Sequence, residues 1–280
     1  MTRFSLILCT VNRDQVLREH LESLAAQQDP PPFEVILVDQ NKDGRLLPII
    51  ADFENRFPIR RYTAEPGLSR ARNIGLSHAQ GDIIAFPDDD CTYPQTLLRS
   101  VSNVLKTEEV DGISTMVTDR QGHLSGCYMK RSSCRITVGN VWHSGVSISI
   151  FIKRQAIGDT RFDETLGVGS GTIFGSGEET DFLINLIKAG KRLDFRPDLV
   201  VNHPVFKGPW SLKRGYLYGS GMGRVLSKHR YGIFKVLYFA SLQLVRAFLA
   251  VLKLNFPRMM FHLAMSYGRI TGYFRKPPEK

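Results

Sequence analysis

Ile83-Ile84-Ala85-Phe86-Pro87-Asp88-Asp89-Asp90 decides how the chain is read: an apolar run ends in three consecutive carboxylates. The run is short, rich in branched residues and entered through Gly81-Asp82, the pattern of a buried parallel strand. In an open α/β sheet, ligands bind outside the carboxyl ends of the strands. Three adjacent acids there repel one another and gain nothing from packing, so a positive partner is expected. A divalent cation, which takes oxygen ligands and in turn grips phosphates, is the candidate.

Upstream, the pattern alternates. Phe4–Thr10 reads as a strand, 14–26 as a helix with Val16, Leu17, Leu21 and Leu24 at helical spacing, and Phe33–Asp39 as a second strand ending in an acid. A helix over 46–57, a strand over Ile59–Thr63 and a helix over 70–79, with Ser69 as its N-cap, lead into the opening stretch. This alternation predicts a doubly wound, largely parallel sheet. Downstream, the pattern predicts a helix over 94–106 and a strand over Gly112–Thr118. A strand region over 141–152 has Val146, Ile148 and Ile150 alternating. A helix over 178–189 and short strands over 192–195 and 199–202 follow. Residues 121–138 are polar and irregular. Five glycines between Gly167 and Gly177 predict a mobile loop, and no Gly-Lys-Ser/Thr follows to make it a phosphate-binding P-loop.

Composition bounds the rest. At 280 residues, 42% hydrophobic and 23% charged, the chain is long enough for one large α/β domain with an appendage and is not disordered in character. Met1 to Thr10 has no small-residue cleavage site, so no secretory leader is expected. Cys9, Cys91, Cys127 and Cys134 form no C-x-x-C pair, which argues against a zinc site or a disulfide framework and for a reducing cytoplasm. The net charge of +10 is uneven: residues 204–280 hold fourteen Lys/Arg and one acid, Glu279. That asymmetry points to an anionic partner surface for the tail.

Fifteen of the twenty residues of Ile233–Leu252 are aliphatic, alanine or phenylalanine. Lys235, Arg246 and Lys253 fall within about 20° of one line on a helical projection, and Arg258, His262 and Arg269 line up on a second segment after Pro257. Each cation at the centre of a membrane span costs roughly 2.5–3.5 kcal/mol. A helix lying in the headgroup layer suits narrow cationic stripes on a broad apolar face, as does an amphipathic helix packed on its own protein. The interfacial reading is preferred. Nucleic-acid binding is disfavoured, because the cations form stripes and no open basic patch.

Five segments, in this order and spacing, resemble the inverting glycosyltransferases of family 2, which have the GT-A fold. They are Cys9-Thr-Val-Asn-Arg13, similar to P-T-Y-N-R; Val38-Asp39-Gln40, similar to V-D-D; Ser69-Arg-Ala-Arg-Asn-Ile-Gly-Leu76, similar to A-R-N-x-G-L; Phe86-Pro-Asp-Asp-Asp90, similar to the D-x-D stretch; and Gly177-Glu-Glu-Thr-Asp181, similar to G-E-D-x-D. The resemblance covers residues 4–203. It implies a GT-A catalytic domain over 1–208, with a nucleotide half over about 1–92 and an acceptor half over 93–208, followed by a membrane-associating helical tail over 209–280.

It also implies roles. Asp88 and Asp90 would hold Mg²⁺ or Mn²⁺ on the departing nucleotide diphosphate, with His203 as a third ligand, and Asp89 would reach the sugar or ribose. Asp39 would touch the nucleoside, with Thr10, Asn12 and Arg13 lining the same pocket, although Gln40 departs from the family's second acid. Arg70 and Arg72 cannot share a helix face, and Arg72 is the one expected at the nucleotide. An inverting transfer needs a carboxylate that takes the acceptor's proton. The resemblance places it at Glu179, with Glu178 positioning the acceptor; Asp181 is read as stabilising the first helical turn, though it remains the alternative base.

The expected activity is transfer of a sugar from a nucleotide-diphosphate donor to a glycan or lipid-linked acceptor. It would take place on the cytoplasmic face of the cell membrane, in envelope or exopolysaccharide assembly. A sugar-phosphate nucleotidyltransferase is the rival enzyme, but the glycine- and Lys/Arg-rich loop it needs after the first strand is absent. A non-catalytic nucleotide-sugar-binding protein is the second rival, against which Glu179 speaks.

Overall fold

The computed structural model describes residues 3–125, 129–205 and 208–277, so Cys127 and Glu279 lie outside the described residues. The chain forms two compact units, one of residues 3–66, 71–161 and 182–205, the other of 67–70, 162–181 and 208–277.

The first unit is built on an eight-stranded sheet. Strands β1 (Phe4–Thr10), β2 (Phe33–Asp39), β3 (Ile59–Thr63) and β4 (Ile83–Ala85) pair in parallel in the order β3-β2-β1-β4. Their connectors are α1 (Gln15–Ala25), α2 (Leu47–Phe53) and α3 (Leu68–His78). Both faces of β1 and β2 are covered, so these strands are buried along nearly their whole length. On one face Leu6, Leu8, Val35 and Leu37 join Leu17, Leu21 and Leu24 of α1. On the other, α3 lies so close that a Cβ at Gly75 would meet Ile7 Cγ2 at 2.2 Å.

Several boundaries differ from the sequence reading, each for a visible reason. Helix α2 ends at Phe53, because Phe57 folds back onto Phe53 and Phe33 ahead of Pro58. Ser69 does not cap α3. The helix starts at Leu68, whose N–H donates to Val168 O, and Ser69 Oγ donates to Leu166 O at 2.7 Å.

Beyond β4 the sheet is mixed. The strand β5 (Gly112–Thr118) follows α4 (Leu97–Thr107), and β6 (Cys134–Arg135) is a short edge. The region 141–152 is not one strand: two 3₁₀ turns, Val141–His143 and Ser147–Ser149, precede β7 (Ile150–Lys153). Ser149 Oγ donates to Val146 O, and Gly145 lies against Leu183, so local turns and close packing win over the alternation. β7 runs antiparallel to both neighbours, β4 and β5. After α5 (Arg154–Ile157) and α6 (Glu178–Lys188), the two expected short strands are one, β8 (Leu193–Asn202), parallel to β5. Its register shifts opposite Thr115 and Met116, which takes Pro197 out of the ladder while Arg196 pairs with Asp198 and Glu108.

In the second unit the glycine-rich loop is knitted to itself. Gly167 N–H donates to Phe174 O, Thr172 Oγ1 donates to Thr165 O, and Phe174 is buried. Helices α7 (Leu212–Lys228), α8 (Ile233–Leu252) and α9 (Phe256–Phe274) follow, with α9 packed on both others. The α7–α9 contact is parallel and lined by glycines. Added Cβ atoms at Gly215, Gly219 and Gly223 would come within 2.2–2.4 Å of the carbonyl oxygens of Phe261, Met265 and Arg269. The α8–α9 contact is antiparallel, with Ser266 Oγ donating to Ala240 O.

This packing corrects the second cationic stripe. His262 and Arg269 do not face outward; both are buried in the helix contacts, where Arg269 donates to Phe239 O. Helix α8 keeps a broad exposed apolar face, including Phe234, Tyr238, Leu244, Val245, Phe248 and Leu252. Among the described residues it is the one helix long and apolar enough to cross a bilayer by length and composition.

Candidate active site

Strands β1 and β2 end side by side at Thr10 and Asp39. Pro87 cannot continue the β4 ladder, yet the chain bridges once more, Asp88 to Cys9, which brings the three carboxylates to the carboxyl end of β1. A second bridge, Thr92 to Asn202, carries His203 to the same place. One ligand atom each from Asp88, Asp90 and His203 then lie within 4.8 Å of one another.

Three further side chains hold this cluster. Thr10 Oγ1 donates to Asp89 Oδ2 at 2.6 Å. Arg13 Nη1 donates to Asp89 Oδ1 at 2.8 Å and Asp90 Oδ2 at 2.6 Å. Arg72, 1% exposed, places Nη2 3.3 Å from Asp88 Oδ1, while Arg70 on the opposite helix face is exposed. Asp89 is therefore turned into the protein, toward Thr10 and Arg13. In this arrangement both Asp89 oxygens are engaged, Oδ2 by Thr10 and Oδ1 by Arg13.

The carboxylates are electrically unequal. Burial pushes the Asp88 carboxyl up against the pull of Arg72, and it pushes Asp89 up to about 6 despite the Thr10 hydrogen bond and the Arg13 charge. Burial also opposes ionisation of Asp90, but the facing His203 ring, with Arg13, outweighs it and holds the carboxyl down at about 2. For His203 burial disfavours the imidazolium, and Asp90 and Asp88 overcome it, so its pKa is raised.

The donor set fits a hard divalent cation. Pro204 O, 2.8 Å from His203 Nδ1, can only accept, so the ring carries a proton on Nδ1 and aims Nε2 at Asp90 Oδ1, 3.2 Å away. Ser125 Oγ, which donates to the same carbonyl, completes this support. Asp90 Oδ1 is buried with no donor aligned on it. Two carboxylate oxygens and an imidazole nitrogen so arranged, from Asp88, Asp90 and His203, could hold a divalent cation.

Asp39 is fully buried and saturated: Oδ1 accepts from Asn41 N and Nδ2, and Oδ2 from Arg61 Nε and Nη2. Its carboxylate shapes the strand end through Asn41, whose Oδ1 also accepts from Asn12 N at 2.7 Å. Asn12, at φ 55°, turns the chain out of β1 and is exposed.

Glu178, Glu179 and Asp181 open α6 and belong to the second unit. Glu178 is buried, its carboxyl packed so close to Gly167 that a Cβ there would sit 3.1 Å away. Glu179 is half-buried. Asp181 is fully buried, accepting from Lys228 Nζ at 2.9 Å and pairing with His229 Nε2 at 2.8 Å; Lys228 also donates to Asp163 Oδ2 at 2.7 Å. Arg61, Ser125, Lys228 and His229 were not singled out by sequence reasoning. Each is distant in the chain from the group it serves, and none carries a motif. A cleft of about 460 Å³ lined by Asp82, Lys106, Lys153 and Arg154 lies at the amino end of β4, the wrong end of the sheet for this chemistry.

A mixed α/β sheet with a carboxylate cluster at the ends of its parallel strands is the GT-A architecture of glycosyltransferases. Residues 5–169 match the model of glycosyl transferase family 2, and the chain belongs to that family. Among curated proteins it is similar to the succinoglycan biosynthesis protein ExoM of Rhizobium meliloti, 26% identical over 81% of this chain and 76% of that protein. It is also similar to the poly(ribitol-phosphate) β-N-acetylglucosaminyltransferase TarS of Staphylococcus aureus, 33% identical over 32% of this chain but 16% of that much longer one. Among solved structures, the mannosyltransferase PcManGT of Pyrobaculum calidifontis, in complex with GDP-Man and Mn²⁺, superposes with a TM-score of 0.65 at 16% identity, covering 96% of this chain and 87% of that one. S. aureus TarS 1–349 in complex with UDP-GlcNAc does so with 0.62 at 16% identity, covering 98% and 93%. The chain is thus a glycosyltransferase.

Proposed function

We propose that the protein is an inverting, metal-assisted glycosyltransferase. Its donor would be a nucleotide-diphosphate sugar and its acceptor a hydroxyl on a lipid-linked or polysaccharide intermediate at the inner membrane face. The observation that carries this reading is the convergence of Asp88, Asp90 and His203, with the imidazole held in the ligating tautomer. The relative named for succinoglycan biosynthesis and the nucleotide-sugar complexes of the structural neighbours support the donor and the pathway class.

In the proposed reaction, Arg13 and Arg72 add positive charge beside the carboxylates, where a diphosphate would be gripped. Mg²⁺ or Mn²⁺ bound by Asp88, Asp90 and His203 would neutralise the charge that develops on the leaving diphosphate. Thr10, through Asp89, keeps Arg13 in place. The acceptor oxygen attacks C1 of the sugar. The bond from C1 to the phosphate oxygen breaks with its electron pair going to the diphosphate, and the hydroxyl proton passes to a carboxylate. Glu179 is that base, because Asp181 is fully buried and committed to Lys228 and His229, whereas Glu179 keeps partial access to solvent. Glu178, buried under Gly167, fixes the helix start that presents it.

The test is a pair of variants assayed for nucleoside diphosphate release. Glu179→Gln should lower kcat by roughly 10²–10⁴-fold while donor affinity holds. Asp88→Asn with Asp90→Asn should abolish the stimulation of turnover by Mn²⁺. Product with the donor's anomeric configuration by NMR would rule out single displacement, and undiminished turnover of the wild type in excess chelator would rule out the metal.

A further inference from the structure

The α8–α9 hairpin carries a polar layer that the transfer reaction does not use. Gln243, His262 and Arg269 are all buried. Placing the Gln243 oxygen against His262 Nδ1 would aim its NH₂ at a guanidinium, so the amide is assigned the other way. Its nitrogen then donates to His262 Nδ1 at 2.9 Å, and its oxygen accepts from Arg269 Nη1 and Nη2 at 2.9 and 3.0 Å. With Nδ1 an acceptor, His262 carries its proton on Nε2. That N–H and the Nε–H of Arg269 are buried without an acceptor.

The same register brings more cations to the layer. Gln243 opposite His262 and Ala240 opposite Ser266 define the antiparallel pairing. Arg246, one turn on from Gln243, and Arg258, one turn before His262, therefore stack on the layer from the hairpin's tip. Arg258 lies 5.0 Å over the Trp210 ring, against which His262 also packs. Burial, then the charges of Arg246, Arg258 and Arg269, push the His262 imidazolium down to about 4. No Asp or Glu occurs between residues 208 and 277 to balance these guanidiniums. The tip itself is apolar and exposed at Phe248, Leu249, Leu252, Leu254 and Phe256.

We propose that Arg246 and Arg258, on the buried Gln243–His262–Arg269 layer, form a site for the headgroup phosphate of an anionic phospholipid, with the hairpin tip seated among the acyl chains. Guanidiniums with no acid in the hairpin to balance them call for a phosphate. The adjoining exposed aromatic and aliphatic side chains commit that phosphate to a lipid and not to a soluble ion. This inference rests on the membrane-facing reading of the tail and narrows it to named residues.

The experiment measures binding of the full chain to vesicles of phosphatidylglycerol in phosphatidylcholine, against phosphatidylcholine alone. The wild type should prefer the anionic vesicles. Arg246→Gln with Arg258→Gln should weaken that binding about 25-fold, at roughly fivefold per cation, with an unchanged circular dichroism spectrum. Lys235→Gln with Lys253→Gln removes equal charge elsewhere in the hairpin, at the start of α8 and just past its end, and should cost clearly less. Equal losses in the two double variants would overturn the site and leave diffuse charge attraction in its place. Unchanged binding of the arginine variant would overturn the site alone, whereas no vesicle binding by the wild type would overturn the membrane reading with it.

Discussion

Asp181 shows what single residues contribute to this site. It is buried two residues after Glu179, and its charge is met by Lys228 and His229. Removing one partner of a buried charge leaves the other uncompensated. Lys228→Met should therefore lower unfolding stability by about 2 kcal/mol, below the usual buried-pair penalty because Lys228 is partly solvated. A drop in the urea midpoint, with kcat falling while donor affinity holds, is the expected result. His20 gives a pH dependence. Its ring donates to Cys91 O, and burial pushes its imidazolium down to about 4. The unfolded chain binds that proton near pH 6.5 and the folded one does not, so stability is full above that value and falls as pH drops toward 4. Urea midpoints across this window should decline less steeply for His20→Gln than for the wild type. The resemblance singled out Asp88, Asp90 and His203, and two strand-end bridges bring them together. It could not reveal Lys228, forty-seven positions from its carboxylate, nor that Asp89 and Asp39 would be turned inward. Burial of an acid depends on which donor reaches it, and a local motif does not record the donor.

Among elements, those set by their own periodicity were legible: β1, β2, β3, β5 and α8 have the bounds their patterns predict. Those set by partners were not. The alternation from Val146 to Ile150 has a strand's period, but Gly145 packed on Leu183 and the Ser149 hydroxyl bonded to Val146 O and Ser114 Oγ favour a turn. Helix α7 is the plainest case. Its face of Gly215, Gly219 and Gly223 has no apolar stripe to read, because its partner α9 is met backbone to backbone. Such contact gains close van der Waals packing and leaves no room for a methyl group. Gly219→Ala puts a carbon 2.2 Å from Met265 O, so the helices must separate. The expected cost is about 1–3 kcal/mol, read as a lowered Tm. Gly232→Ala, at a position with nothing near its Cβ, is the control and should be nearly silent.

At the scale of the whole molecule, the tail is more than an attachment. The second unit joins α7, α8 and α9 to the segment that carries Glu178 and Glu179. Gly175 and Gly177 lie against Leu217 and Val225 of α7, Ser176 Oγ donates to Tyr218 O, and Asp181 and Asp163 are both anchored by Lys228. A tail that served only as a tether could be removed with the loss of membrane contact alone. Here its removal strips the glycine-rich loop and the start of α6 of the side chains they pack on. The chain ended after His203 should therefore lose transfer to a water-soluble acceptor in detergent, where no membrane is involved. Limited proteolysis should cut it first between 162 and 181. Full activity of that fragment on the soluble acceptor would show that α7–α9 serve localisation only. A fragment ended after Lys228, which keeps α7 but lacks α9 along its glycine face, should fall between the two. Its activity then measures how far the α7–α9 contact supports the carboxylates at the start of α6.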